Sequence, residues 1–341
     1  MMHVLSVAYP FAPVGPDAVG GAEQVLTAID DTLVRAGHRS SVIACAGSRV
    51  AGKLIALPVA GGPIDEAAHA AVRAAVAAAV AQGRVDLVHL HGIDFADYLP
   101  PPGPPVLATL HLPPAWYSPA ALSPARPGTW LHGVSDTQHR ALRELTSNAL
   151  LPPICNAVPV AALDARHHAR RGFALMLGRV CPEKGQHLAL QAAHAAGIGL
   201  LIGGQVFGYE AHRRYFDDQV TPLLDRHRRF LGPLHFARKR RLLSAARCLL
   251  APSLAAETSS LVAMEALACG TPVVAFDAGA LPEIVAHGRT GFIVRDVAEM
   301  AAAIGRVGEI AAQACRAAAQ ARFDWPRMTD AYLARYRQLV A

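Results

Sequence analysis

Short apolar runs alternate with stretches of helical spacing along nearly the whole chain, a pattern that predicts parallel α/β architecture. In the first half the runs are HVLSVAY (3–9), RSSVIACA (39–46), VDLVHLHG (85–92), PVLATLH (105–111) and WLHGVS (130–135), each read as a strand. Between the first two, apolar residues recur at Val25, Leu26, Ile29 and Leu33, one face of a helix that Gly37 ends. LPPPGPP (99–105) reads as a loop, and LLPPICNAVPVAALDARHHARRG (150–172) as a linker. A second series follows, with strands at FALMLGRV, IGLLIGG, RRFLGPL, CLLAPS, TPVVAFD and GFIVRD and helices at GQHLALQAAHAAG and ARKRRLLSAAR. Two Rossmann-like domains are therefore expected, 1–160 and 161–322, with a terminal segment 323–341. Open α/β sheets bind ligands beyond the carboxyl ends of their strands, so both domains are expected to present loops to a cleft between them.

Composition narrows the class. Hydrophobic residues make up 52% of the 341 and charged ones 17%, as in a soluble, well-buried enzyme. MMHVLSVAYP reads as a buried first strand rather than a targeting segment, and the Ala-rich 67–83, interrupted by His69, Arg73 and Gln82, as a packing helix too short to span a membrane. Six cysteines without CxxC or metal-ligand spacing read as small core residues in a reducing cytoplasm. Charge divides unevenly: residues 1–160 carry nine Lys and Arg against eleven Asp and Glu, the remainder 23 against 15. A negatively charged partner is thus expected to meet the second half. The basic runs DRHRR and FARKRRLLSAAR hold few interleaved aromatics and no nucleic-acid motif, so they read as solvated helix faces.

Candidate chemistry concentrates in LLAPSLAAETSSLVAMEALACGTPVVAF (249–276). The residues between its two strands must cross over as a helix, with Ser259 or Ser260 as N-cap and Cys269-Gly270 as stop. Glu257 then lies in the loop at the helix mouth and Glu265 two turns deeper, about 12 Å along the axis. Two acceptors so placed suit an extended polyol gripped at two points. The helix N-terminus between them suits phosphate. A nucleotide sugar has these parts in that order. In MLGRVCPEKGQH, Arg179 follows a strand and Lys184 lies in a turn opening a helix, two cations able to clamp a diphosphate. In PVGPDAVGGAEQ, Gly20 and Gly21 open a helix where backbone N–H groups can face an anion.

In this order the motifs resemble glycosyltransferase family 4, whose members have the GT-B fold and retain anomeric configuration. The resemblance runs from GGAEQ through DLVHLHG, TLH, NAV, GRVCPEKG and the acid pair to GALPEIVAHGRTGFIV and FDWPRM. It implies that Glu257 contacts hydroxyls of the donor sugar, that Glu265 holds the ribose, and that Arg179 and Lys184 bind the diphosphate. It also implies that His111 lies beside the transferred sugar, and that the last helix, with Met328, Tyr332, Leu333 and Tyr336 at helical spacing, crosses back onto the first domain. Many relatives carry Gly-Phe-Gly after the first acid. This chain has Thr258, Ser259 and Ser260, which keep the N–H groups and add hydroxyls within reach of phosphate or sugar.

The expected activity is hexose transfer from a nucleotide sugar, UDP-linked by the family's commonest usage, to an acceptor in the first domain. No acidic cluster points to a metal, and cations with helix-end N–H groups would stabilise the leaving diphosphate. The two acids are too far apart for the roughly 5 Å pairing of a retaining glycosidase. A non-catalytic nucleotide-sugar-binding protein and a GT-B epimerase are the alternatives. HLPPAWYSP (111–119) offers Trp116 and Tyr117 for stacking on an acceptor, and the slightly acidic first domain favours a soluble acceptor over a membrane-borne one.

Overall fold

The computed structural model describes residues 1–10, 12–18, 20–58, 65–146 and 150–341. The chain divides into two compact units, Met1–Asn156 with Pro326–Ala341, and Ala157–Trp325.

In the first unit β1 (His3–Val7), β2 (Arg39–Cys45), β3 (Lys53–Leu57), β4 (Leu87–Leu90), β5 (Val106–Leu110) and β6 (Thr129–Gly133) form one parallel sheet in the order β3-β2-β1-β4-β5-β6. β3, the KLIAL run, was not among the expected strands. It pairs with β2 at the sheet edge and is half exposed, so its apolar signal is diluted. The central strands read as continuous apolar runs because helices cover both faces, and Leu5, Val7, Val88, Leu90, Val106 and Leu110 are fully buried. The helix Gly21–Arg35 ends at Gly37, whose φ of +75° closes the turn through its N–H to Val34 O.

The second unit repeats the plan with β7 (Phe173–Leu177), β8 (Gly199–Gly203), β9 (Arg228–Phe230), β10 (Cys248–Ala251), β11 (Val273–Phe276) and β12 (Gly291–Val294), ordered β12-β11-β10-β7-β8-β9. Each sheet has the strand order of a doubly wound Rossmann fold, whose ligand crevice lies where that order reverses. In the second sheet that point falls between β7 and β10.

The terminal helix Trp325–Val340 buries Met328, Tyr332 and Tyr336, and packs Tyr332 and Tyr336 against histidines of the first sheet. No helix among the described residues is long and apolar enough to cross a membrane.

Candidate active site

At the switch point of the second sheet, two loops meet. After β7, the turn Pro182–Lys184 leads through Gly185 into the helix Gln186–Ala195. After β10, residues 252–260 lead into the helix Leu261–Ala268. Backbone contacts tie the loops together. Leu254 N–H donates to Glu183 O at 2.8 Å, and Gly185, at φ +69°, lies so close to Pro252 that a Cβ there would fall 2.3 Å from its carbonyl oxygen. Only glycine tolerates both the conformation and the approach.

Glu257 sits in the second loop with its side chain 11% exposed, and Lys184 reaches it from the first, Nζ to Oε1 2.5 Å. The hydroxyl of Ser253 donates to the same carboxylate oxygen. Lys184, expected on a diphosphate, is therefore held by the acid expected on the sugar. Arg179 follows Gly178 at the end of β7, and its carbonyl accepts from Gln186 Nε2 at 2.8 Å. Burial, and then the nearby charge of Arg179, lower the His212 imidazole below its ordinary value.

The Glu257 loop is pinned from outside by a residue that spacing did not single out. Ala280 N–H donates to Glu257 O at 2.7 Å, and Gly279, at φ +58°, would place a Cβ 2.2 Å from that oxygen. We expect Gly279→Ala to cost about 1–2 kcal/mol from the left-handed backbone alone, more from the clash, and to shift Glu257. Urea unfolding against wild type checks it; an unchanged midpoint would mean the loop yields without strain.

Glu265, in the helix Leu261–Ala268, is 1% exposed. Lys239, from the helix Phe236–Ala245, pairs with its Oε1, and Oε2 has no hydrogen-bond partner among the described residues. Lys239, expected on a solvated basic face, is instead turned inward onto the acid with its side chain 15% exposed. Ser260 occupies the N-cap position without a side-chain cap bond, and the Ser259 hydroxyl is buried without a partner among the described residues. Thr258 is buried. At the other end Gly270, at φ +76°, terminates the helix, with Thr271 N–H donating to Ala266 O.

Cys181, Glu183 and His212 form a group of potential metal donors, their ligand atoms within 4.8 Å of one another. Burial pushes the Cys181 thiol up to about 11, so it stays protonated, and its Sγ donates to Arg179 O at 3.8 Å.

In the first unit, Gly20 is the N-cap of the helix that Gly21 begins. The buried Glu23 folds back over it, so that a Cβ on Gly20 would fall 1.8 Å from Glu23 Oε2. An anion approaching Gly20 would meet that carboxylate. His111 follows β5, where Tyr117 steadies the chain by accepting from Leu112 N–H at 3.2 Å. Tyr117 is 6% exposed and packs on Phe95 with ring centroids 6.5 Å apart, so it supports this loop rather than offering a stacking face. Trp116 is exposed.

Beneath His111 the sheet carries a buried polar chain across β4, β5 and β6. His132 Nδ1 faces Gly133 O at 2.9 Å, and a carbonyl only accepts, so His132 is protonated on Nδ1. Burial, as the main cause, lowers its imidazole to about 3, so it is neutral and its Nε2 accepts from the Thr109 hydroxyl at 2.7 Å. Thr109 Oγ1 in turn accepts from His89 Nε2, and His89 Nδ1 accepts from the Tyr336 hydroxyl, both at 2.7 Å. One carbonyl thus sets the direction of every proton in the chain.

Comparisons with known proteins agree with this architecture. A family model described as "Glycosyltransferase Family 4" matches residues 19–143, and one described as "Glycosyl transferases group 1" matches 172–309. D-inositol 3-phosphate glycosyltransferases of Mycobacterium marinum and Mycobacterium tuberculosis are 35% identical over 179 residues, 48% of this chain but only 38% and 36% of theirs. Among solved structures, a glycosyltransferase involved in avilamycin A biosynthesis superposes with a TM-score of 0.73 at 25% identity, covering 100% of this chain and 98% of its own. Sucrose-phosphate synthase from Thermosynechococcus elongatus gives 0.82 at 21% identity, covering 99% of each chain. An Anabaena protein solved with UDP and glucose gives 0.77 at 20%, covering 99% of this chain and all of its own. With both halves matched and two Rossmann-type sheets in series, the chain belongs to the family 4 type of GT-B glycosyltransferases.

Proposed function

We propose that the protein transfers a hexose from a nucleoside diphosphate sugar, UDP-linked by preference, to an acceptor, with retention of configuration and without a metal. The observation that carries the donor half is Glu265: a buried carboxylate with one oxygen on Lys239 and the other unpartnered. An unsatisfied buried polar atom costs about 1–3 kcal/mol, a cost that a ribose hydroxyl donating to Oε2 would remove. The free Ser259 hydroxyl and the N–H groups of the following helix supply donors for phosphate oxygens. Arg179 and Lys184 supply the positive charge for the leaving diphosphate.

Glu257 binds hydroxyls of the sugar, and Thr258 stands beside it. His111 is the proposed histidine contact of the transferred sugar. Front-face attack lets the leaving phosphate take the acceptor's proton, so neither glutamate serves as nucleophile. Gly20 and Gly21 take a smaller part than their spacing suggests, because Glu23 screens Gly20. The structural neighbour solved with UDP and glucose supports the choice of nucleotide and sugar class. The first unit carries twelve Lys and Arg against twelve Asp and Glu, with no basic excess for an anionic membrane surface, which favours a soluble acceptor.

Thermal unfolding with UDP, GDP, ADP and dTDP, each in EDTA, tests the reading. A nucleotide at a hundred times its dissociation constant adds about 2.7 kcal/mol, a rise in melting temperature of several degrees. UDP is expected to give that rise without metal. No shift with any nucleotide would remove the donor site, and a shift only after adding a divalent cation would overturn metal independence.

A further inference from the structure

β4 and β5 end side by side, and the histidines that follow them meet. His91 Nδ1 lies 3.0 Å from His111 Nε2, with the rings stacked at a centroid distance of 5.2 Å and 19° between planes. His91 is 3% exposed, and its other ring nitrogen, Nε2, is buried with no hydrogen-bond partner among the described residues. The His89 ring lies only 4.0 Å away, but Thr109 and Tyr336 occupy both its nitrogens. The polar contact open to the His91 side chain is therefore His111.

Burial lowers the His111 imidazole to about 3, and lowers His91 well below the ordinary value, so both rings are neutral at physiological pH. Each then carries one N–H, and a single proton lies between the two facing nitrogens. If His91 were protonated on Nε2, a buried N–H would be stranded, the kind of orphan that folded proteins avoid most strictly. Protonated on Nδ1, it donates to His111, and the nitrogen left over is only a bare acceptor. The same logic of one nitrogen's bond setting the other's role applies next to His111. With Nε2 accepting, its proton must sit on Nδ1.

We infer that His91 is a positioning residue that donates from Nδ1 to His111 Nε2 and locks His111 in the Nδ1–H tautomer, so that His111 meets the transferred sugar as a neutral hydrogen-bond donor to a hydroxyl rather than as a base. The sugar contact rests on the proposed function, whereas the tautomer does not. It also accounts for a chain that places two histidines at adjacent strand ends while using neither as a proton acceptor from the acceptor substrate.

The test uses the full-length protein labelled with 15N-histidine. Two-bond proton–nitrogen correlation spectra distinguish a protonated from a bare ring nitrogen, and His111→Gln assigns the His111 signals. The expected spectrum shows His111 protonated at Nδ1 and bare at Nε2. In His91→Phe the lock is gone and His111 shifts toward the Nε2–H form preferred by free imidazole. His91→Asn, whose amide nitrogen falls near the position of Nδ1, keeps the wild-type tautomer. Sugar transfer should follow: kcat falls about ten- to a hundred-fold in His91→Phe, as for a misaligned catalytic contact, donor KM stays near wild type, and Asn restores most of the rate. An Nε2–H signal for His111 in the wild-type protein would overturn the inference, even if the Phe variant does not fold. So would an unchanged tautomer in a folded His91→Phe. The expected tautomers with unchanged kcat would overturn the sugar contact of His111 and leave the positioning contact standing.

Discussion

Lys239→Met is expected to destabilise the second unit by about 3–5 kcal/mol, the usual effect of removing one partner from a buried ion pair. The size follows from the burial of both groups: Glu265 is 1% exposed and the Lys239 side chain 15%. With the ammonium gone, a carboxylate would be left in an apolar helix interface with neither oxygen satisfied, since Oε2 already lacks a partner among the described residues. Replacing both groups with apolar residues of similar volume removes the stranded charge, so Lys239→Met with Glu265→Leu should recover much of the lost stability. Urea unfolding of the three proteins checks this. A single variant as stable as wild type would mean that the pair does not hold the two helices together. UDP binding separates stability from function: the double variant is expected to be stable yet to bind UDP poorly, because the proposed ribose acceptor is gone.

That lysine also shows where sequence reading stops. Strands and crossover helices were legible because parallel sheets buried on both faces leave unbroken apolar runs, and β7, β8, β10, β11 and β12 stand where those runs lie. Glu257 and Glu265 were legible because their spacing straddles a helix start. Lys239 was hidden within a run of like charge. The available signal was its position four residues before Leu243, which is fully buried, and so on the inward face of the same helix. The contacts of Lys184 with Glu257 and of His91 with His111 depend on how separate loops approach one another, which no local spacing encodes. The buried chain from His132 to Tyr336 depends on strand register, Thr109 opposite His132, and on a helix more than two hundred residues away in sequence from His89 and Thr109. Glu23 over Gly20 is a different lesson. Three residues separate them, as in a capping box, and the acid changes a glycine pair that looks open to anions into one that carries negative charge.

Glu257→Ala is expected to act with opposite sign on nucleotide and on nucleotide sugar. Glu257 Oε1 accepts from both Lys184 and Ser253, so the acid neutralises the cation proposed to meet the diphosphate. A diphosphate must compete for Lys184 with a partly buried carboxylate 2.5 Å away. Removing that carboxylate frees the ammonium, so UDP should bind at least as well as in wild type. Sugar transfer should fall by about ten- to a hundred-fold, because hydrogen bonds from sugar hydroxyls to a charged acceptor contribute about 1.5–3 kcal/mol. Glu257→Gln keeps the shape of the side chain but neither the charge that holds Lys184 nor a second acceptor oxygen, and should fall between the two. Calorimetric titration with UDP and with UDP-glucose, beside steady-state transfer rates, reads both signs in one set of proteins. Equal weakening of UDP and UDP-glucose would give Glu257 a different task, that of holding Lys184 in place for the diphosphate, and the sugar would then have to be gripped elsewhere. The pairing of acid and cation predicts the split because the same carboxylate cannot serve the sugar fully while it holds the lysine: donor binding must hand Lys184 from Glu257 to phosphate, and that exchange is what the alanine variant removes.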